Sequence, residues 1–188
     1  MTGMITTALM GLFVLTAPVT INPMGGAAFP QATAPAPSYS VAMTGYNAVD
    51  EQTDGDPLVT ASGAFSNPEI IAARSVDLAG ELPFGTVVEI TRASTSTATC
   101  GYSLVDNMIG LRVIADSMHP RKRNQIDILF DTDSTVRSGG KDMNAANVLG
   151  MCKDVHIKIV GYVNVNHLPH TQADLKARID KQTLALGK

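Results

Sequence analysis

Residues Arg112–Asp131 read RVIADSMHPRKRNQIDILFD, a stretch that sets two carboxylates, Asp116 and Asp127, at the two ends of one basic loop. The flanks LRVIAD and QIDILF are rich in β-branched and aliphatic residues, as strands are, whereas His119, Pro120 and the run Arg121–Gln125 read as a loop. Both carboxylates therefore fall where a strand meets that loop. Asp127 is the more unusual, because Ile126, Ile128, Leu129 and Phe130 surround it in the chain. A carboxyl enclosed by apolar side chains has its charged form disfavoured, and its pKa rises into the range of a general acid. A carboxylate facing solvent by simple strand alternation is the other reading of the same residues.

Around this stretch the composition sets limits. The chain has 188 residues, enough for one domain of ordinary size, and its 45% hydrophobic content suffices for a core. A net charge of -3 argues against a nucleic-acid partner, since the only basic cluster is Arg121, Lys122 and Arg123. With no Trp, four Tyr and five Phe, an extended stacking platform is not expected. Cys100 and Cys152 match neither a zinc site nor a CxxC pair, and no cofactor or metal is expected. His167, His170 and Asp174 have only loose ligand-like spacing, interrupted by Pro169.

No Asp, Glu, Lys or Arg occurs before Asp50. Met4–Val19 is an apolar run of the length of a signal-peptide core, short for a membrane span of ~20 residues. Residues 1–22 are read as an export signal or membrane anchor, and 23–38 as a Pro/Ala/Gly linker. From residue 39 to 165 short strand-like segments alternate with turns. Ser40–Tyr46, Leu58–Ala61, Glu69–Arg74, Thr86–Thr91, Tyr102–Val105, Leu111–Ala115, Gln125–Phe130 and Asp154–Val163 all read as strands, and Asn144–Met151 as a short helix after a turn at Ser138–Met143. Polar Arg92–Thr99 reads as a hairpin tip. The pattern is that of a small β barrel or sandwich. Residues 166–188 form a C-terminal tail in which Thr171 can cap a helix over Gln172–Leu186, with Leu175, Ile179 and Leu184 on one side. This helix either packs on the barrel or frays. In an exported chain Cys100 and Cys152 would be bridged; in a cytosolic one they would be small buried residues.

The order of VAMTGY (41–46), TDGDPLVTASG (53–63), IIAARSVDLAGELPFGT (70–86), LRVIADSMHPRKRNQIDILF (111–130) and VHIKIVGYV (155–163) resembles the 3D (Asp-Asp-Asp) domain. That module is found in membrane-bound lytic murein transglycosylase A and in stationary-phase survival muralytic proteins. The family's three aspartates fall on Asp77, Asp116 and Asp127, and Lys122 and Asn124 occupy their usual places in the loop. The resemblance implies a six-stranded double-psi β barrel with one short helix and a helical tail. It also implies a groove for peptidoglycan strands and Asp127 as the catalytic acid, with Asp116 and Asp77 tuning it or holding the sugar. Tyr46 and Thr60, in the motifs before the first aspartate, would line that groove, and Lys122, with Arg121 and Arg123, would meet the substrate at its rim. Ser117, Met118 and His119 stand where relatives usually have Thr-Gly-Gly.

The expected activity is that of an exported, monomeric lytic transglycosylase of the cell envelope, cutting the MurNAc-GlcNAc bond to 1,6-anhydro products. A non-catalytic wall-binding or wall-loosening module is the alternative. A third class, an aspartic protease, fits poorly, because Met118 replaces the glycine of an Asp-Ser-Gly motif.

Overall fold

A mixed sheet closed on itself in the order β1-β5-β2-β4-β3-β8 forms the centre of the protein. The computed structural model describes residues 36–53, 55–92 and 100–186. The expected signal and most of the linker lie outside them, as do residues 93–99 of the expected hairpin tip. The barrel strands are β1 (Ser38–Asn47), β2 (Ile71–Arg74), β3 (Thr86–Arg92), β4 (Arg112–Ser117), β5 (Gln125–Phe130) and β8 (Cys152–Tyr162). Two neighbouring pairs are parallel, β1 with β5 and β2 with β4, and the other four are antiparallel. Parallel neighbours need long crossovers, which is why the chain runs so far between β1 and β5 and between β2 and β4.

Alternation along these strands produces two apolar clusters. One takes side chains from all six barrel strands, among them Met43, Ala72, Val88, Ile114, Ile126, Ile128 and Ile157, and from the first two helices. The other joins Tyr46, Ile71, Ala73, Val113, Ala115 and Leu129 to Leu175 and Ile179. Ile126 and Ile128 thus lie on one face of β5 and Leu129 on the opposite one.

Three departures from the sequence expectation matter. Tyr102–Val105 is not a strand but the start of helix α1 (Tyr102–Ile109). Aromatic and branched residues suggested β, yet Val105 and Ile109 stand four apart and are buried while Leu104, just before Val105, is exposed, which is a helical spacing. The described residues therefore form three α-helices, α1, α2 (Ala145–Leu149) and α3 (Gln172–Leu186), rather than one and a tail. Leu58–Ala61 forms no strand, only an isolated bridge between Val59 and Phe65. Ser138–Met143 is a hairpin, β6 (Thr135–Ser138) and β7 (Lys141–Asn144), turned by Gly139 and Gly140, both at positive φ as a tight two-residue turn requires.

Helix α3 spans the expected residues. Thr171 caps it, its hydroxyl accepting from the Asp174 amide at 3.1 Å. Leu175 and Ile179 seat it on the second cluster, so the helix packs, while Leu184 is exposed and falls outside the apolar stripe. Cys100 and Cys152 form a disulfide that ties the start of α1 to the start of β8. Among the described residues no helix is long and apolar enough to cross a membrane.

Arg112, read from sequence as part of a strand flank, is a buried anchor. Its guanidinium donates to the carbonyls of Pro68, Ile71, Met108, Ile109 and Leu129. Burial pulls its pKa down to about 9, so it stays charged at neutral pH. Two of its acceptors end α1, where a cation also meets the negative end of the helix dipole.

Candidate active site

Asp127 enters from the middle of β5, paired with Thr44 of β1 on one side and Ala73 of β2 on the other. Alternation places it on the face opposite Ile126, Ile128 and Phe130, so these neighbours in sequence do not enclose it. Tyr46, Ala73 and Met118 border it instead, together with Asp116, in a cavity of about 510 Å3. Ala73, with no more than a methyl group, leaves room above the carboxyl.

Among the described residues the Asp127 carboxyl has one hydrogen-bond donor, Thr44 Oγ1, which donates to Oδ1 at 2.8 Å. Gln125 Nε2 donates to the same Thr44 oxygen at 2.8 Å, which leaves the hydroxyl proton directed at Asp127. Burial pushes the Asp127 pKa up to about 7. The Thr44 hydrogen bond and the Lys122 charge pull it down, and Asp116 adds a smaller push upward.

Asp116, at the end of β4, is bonded differently. Its Oδ1 accepts from the amides of Ala61 and Ser117 at 2.9 and 2.8 Å, and its Oδ2 from the Tyr46 hydroxyl at 2.8 Å. Three donors fix its orientation and occupy both oxygens. Tyr46 is itself buried, and that burial together with Asp116 raises its pKa well above the usual phenol value, keeping it a donor.

The cavity also brings in Thr60 and Lys122, both expected from sequence. Thr60 is buried, with its hydroxyl donating to the Ala64 carbonyl at 3.1 Å, so its side chain serves the turn that forms the cavity wall. Lys122 reaches the cavity from the exposed loop, whereas Arg123 folds back onto the carbonyls of Pro120 and Lys122. Met118 is buried and lines the cavity beside exposed His119, whose Nδ1 accepts from the Arg121 amide at 3.2 Å.

Asp77 stands apart. It lies in a short 3-10 turn, Val76–Leu78, is exposed, and does not line the cavity. The three aspartates of the resemblance are thus not gathered: two share the cavity and the third braces the loop, with Oδ2 accepting from the Asn124 amide at 2.9 Å.

Sequence reading missed Thr44, Gln125 and Asp56. Thr44 and Gln125 sit on different strands, and only the parallel β1–β5 pairing brings them together. Asp56 lines the cavity from the segment between β1 and β2, alongside Gln52, Thr53 and Ser66, and its Oδ1 accepts from the Leu58 amide at 2.8 Å. Nothing in its DGDP context distinguishes it from a turn residue. His167, His170 and Asp174 line a separate groove with Phe65 and Arg178. Neither a protein-family model nor a curated protein matches this chain.

Proposed function

We propose that this protein is a lytic transglycosylase that cleaves peptidoglycan through Asp127. The observation that carries this reading is the contrast within one cavity. A half-buried carboxyl with a single hydrogen bond among the described residues and a pKa of about 7 lies beside a second carboxylate held by three donors. A glycan hydrolase needs a second free carboxylate as base or nucleophile. Asp116, with a donor on each oxygen, is poorly suited to that task, and Asp56, the third carboxylate of the cavity, accepts from the Leu58 amide. A transglycosylase needs only one.

Protonated Asp127 gives its proton to the glycosidic oxygen between MurNAc and GlcNAc as the bond to the anomeric carbon breaks. The resulting carboxylate then takes the proton of the muramoyl 6-hydroxyl, whose oxygen closes on the same carbon as a 1,6-anhydro ring. No water is consumed. Thr44 stabilises the carboxylate between the two steps, and Lys122 contributes a charge of the same effect at the cavity edge. The carboxyl is half neutral at about pH 7, where both donor and acceptor forms are at hand.

The resemblance of residues 41–163 to the 3D domain supports the same reading. The two parallel pairs, β1–β5 and β2–β4, support reading the closed barrel as a double-psi barrel. The disulfide is compatible with an exported protein, and we place the activity in the cell envelope.

The test is digestion of purified peptidoglycan by the protein and by its Asp127→Asn variant, with mass spectrometry of the products. Anhydromuropeptides from the parent alone support the proposal. Reducing-end products would mean hydrolysis with Asp56 as the first candidate base, and absence of products with equal binding by both proteins would leave a wall-binding module.

A further inference from the structure

The loop 118–124 carries Lys122 into the cavity, and both of its ends are tied to one short segment, Arg74–Asp77. At the start, the Met118 amide donates to the Arg74 carbonyl at 2.9 Å. At the return, the Asn124 amide donates to Asp77 Oδ2 at 2.9 Å and the Gln125 amide to Ser75 Oγ at 3.1 Å. The Ser75 amide answers with a 2.8 Å bond to the Gln125 carbonyl. Asn124 has φ of 46°, a left-handed conformation that asparagine tolerates better than most residues. Its side chain donates to the Ser40 carbonyl at 3.1 Å, and its own carbonyl accepts from Ala42 at 3.0 Å. The chain is thus turned sharply and fastened on two sides immediately before the strand that holds Asp127.

We propose that Asp77 is a positioning residue, not a catalytic one: it fixes the return of this loop through a backbone hydrogen bond and so sets Lys122 at the mouth of the cavity. The task requires an acceptor oxygen and no charge. This rests on reading Asp127 as the acid, whose surroundings the loop governs. The charged and titratable groups around that carboxyl are Tyr46 on β1, Asp116 on β4, Asp56 on the preceding segment, and His119 and Lys122 on the loop itself. Of these, Lys122 is the one the loop carries that favours the ionised form. Freeing the loop withdraws that charge.

An acceptor role separates two variants that a charge role makes equal. Asp77→Asn keeps a carbonyl oxygen for the Asn124 amide and loses the charge; Asp77→Ala loses both. The Asp127 carboxyl is titrated by 13C NMR in the full chain for the parent, the two variants and Lys122→Gln, beside release of anhydro products against pH. The expected result is a parent-like titration for Asp77→Asn. Asp77→Ala should move the Asp127 midpoint upward by about half a unit, the direction Lys122→Gln also takes. Asp77→Ala combined with Lys122→Gln should add nothing to Lys122→Gln alone. Equal shifts for the Asn and Ala variants would overturn the proposal in favour of a charge role, and so would an unshifted Ala variant. Should Asp77→Ala not fold, the Asn variant decides: a parent-like midpoint supports the proposal and a shifted one refutes it. The titration needs no turnover, so a chain that releases no product would defeat the proposed function while leaving the role of Asp77 to be decided by the NMR result.

Discussion

The Thr44 hydroxyl donates to Asp127 Oδ1 at 2.8 Å across 83 residues of chain, and it can do little else, because Gln125 Nε2 already donates to the same oxygen. The acceptor oxygen of Asp127 is thereby Oδ1, and in the neutral acid the proton resides on Oδ2. The hydrogen bond favours the ionised carboxyl and partly offsets the effect of burial.

Replacing Thr44 by valine therefore raises the Asp127 pKa further. The alkaline limb of anhydro-product release should move up by ~1 unit, while Thr44→Ser, which keeps the hydroxyl, should leave the profile near that of the parent. A Val variant with an unshifted limb would show that Thr44 is not the group that tunes the acid.

The same carboxyl makes stability depend on pH. Its folded value, about 7, lies above its ordinary 3.8, so between those values the folded chain binds more protons than the unfolded one. The resulting contribution is complete below about pH 4 and is lost as pH rises through 7, amounting to ~4 kcal/mol. Asp127→Asn cannot ionise and escapes this loss. Urea unfolding of both proteins from pH 4 to 8 should show the variant gaining on the parent as pH rises, with no further gain much above pH 7. A gap independent of pH would mean that the carboxyl is not held neutral.

Arg112 is expected to be intolerant of substitution. Arg112→Met leaves five carbonyls without their shared donor and should cost ~3–5 kcal/mol in urea unfolding. Lysine should rescue little of it, since one ammonium with three donors cannot span five acceptors set around a planar fork. Near-parental stability of Arg112→Lys would show that only the charge is required.

Removing the disulfide should be costly as well. The bridge closes a loop with a sequence separation of 52, and its loss, through Cys100→Ser with Cys152→Ser, should lower stability by ~4 kcal/mol on chain-entropy grounds. The parent in reductant should unfold like the double variant. If reductant leaves the parent's midpoint untouched while the bonded form is demonstrably opened, the bridge contributes nothing.

The barrel strands were legible because their residues alternate or are β-branched in runs, as in Thr86–Arg92 and Gln125–Phe130. Tyr102–Ile109 was not, since its first residues favour either structure; its helical form shows in the later pairing of Val105 with Ile109. The site divides in the same way. Asp116 and Asp127 stood out because they flank a single loop, a local feature. Asp77 also stood out in a motif, but a motif does not say which way a carboxylate points, and this one braces the chain.

The sequence by itself determined that two strands flank the basic loop within Arg112–Asp131, and that each of them carries a carboxylate. Strand periodicity and turn chemistry are written residue by residue. Only the tertiary structure decided that Asp127, half-buried in the cavity wall, has its pKa raised. Asp127 owes its raised pKa to desolvation on the cavity side of β5, the face away from the isoleucines beside it, because side chains adjacent in a strand point to opposite faces. Thr44 and Gln125 reach the site through a parallel pairing of strands whose paired residues lie 83 apart in the chain, as Thr44 and Asp127 do, and no local pattern encodes such a distance.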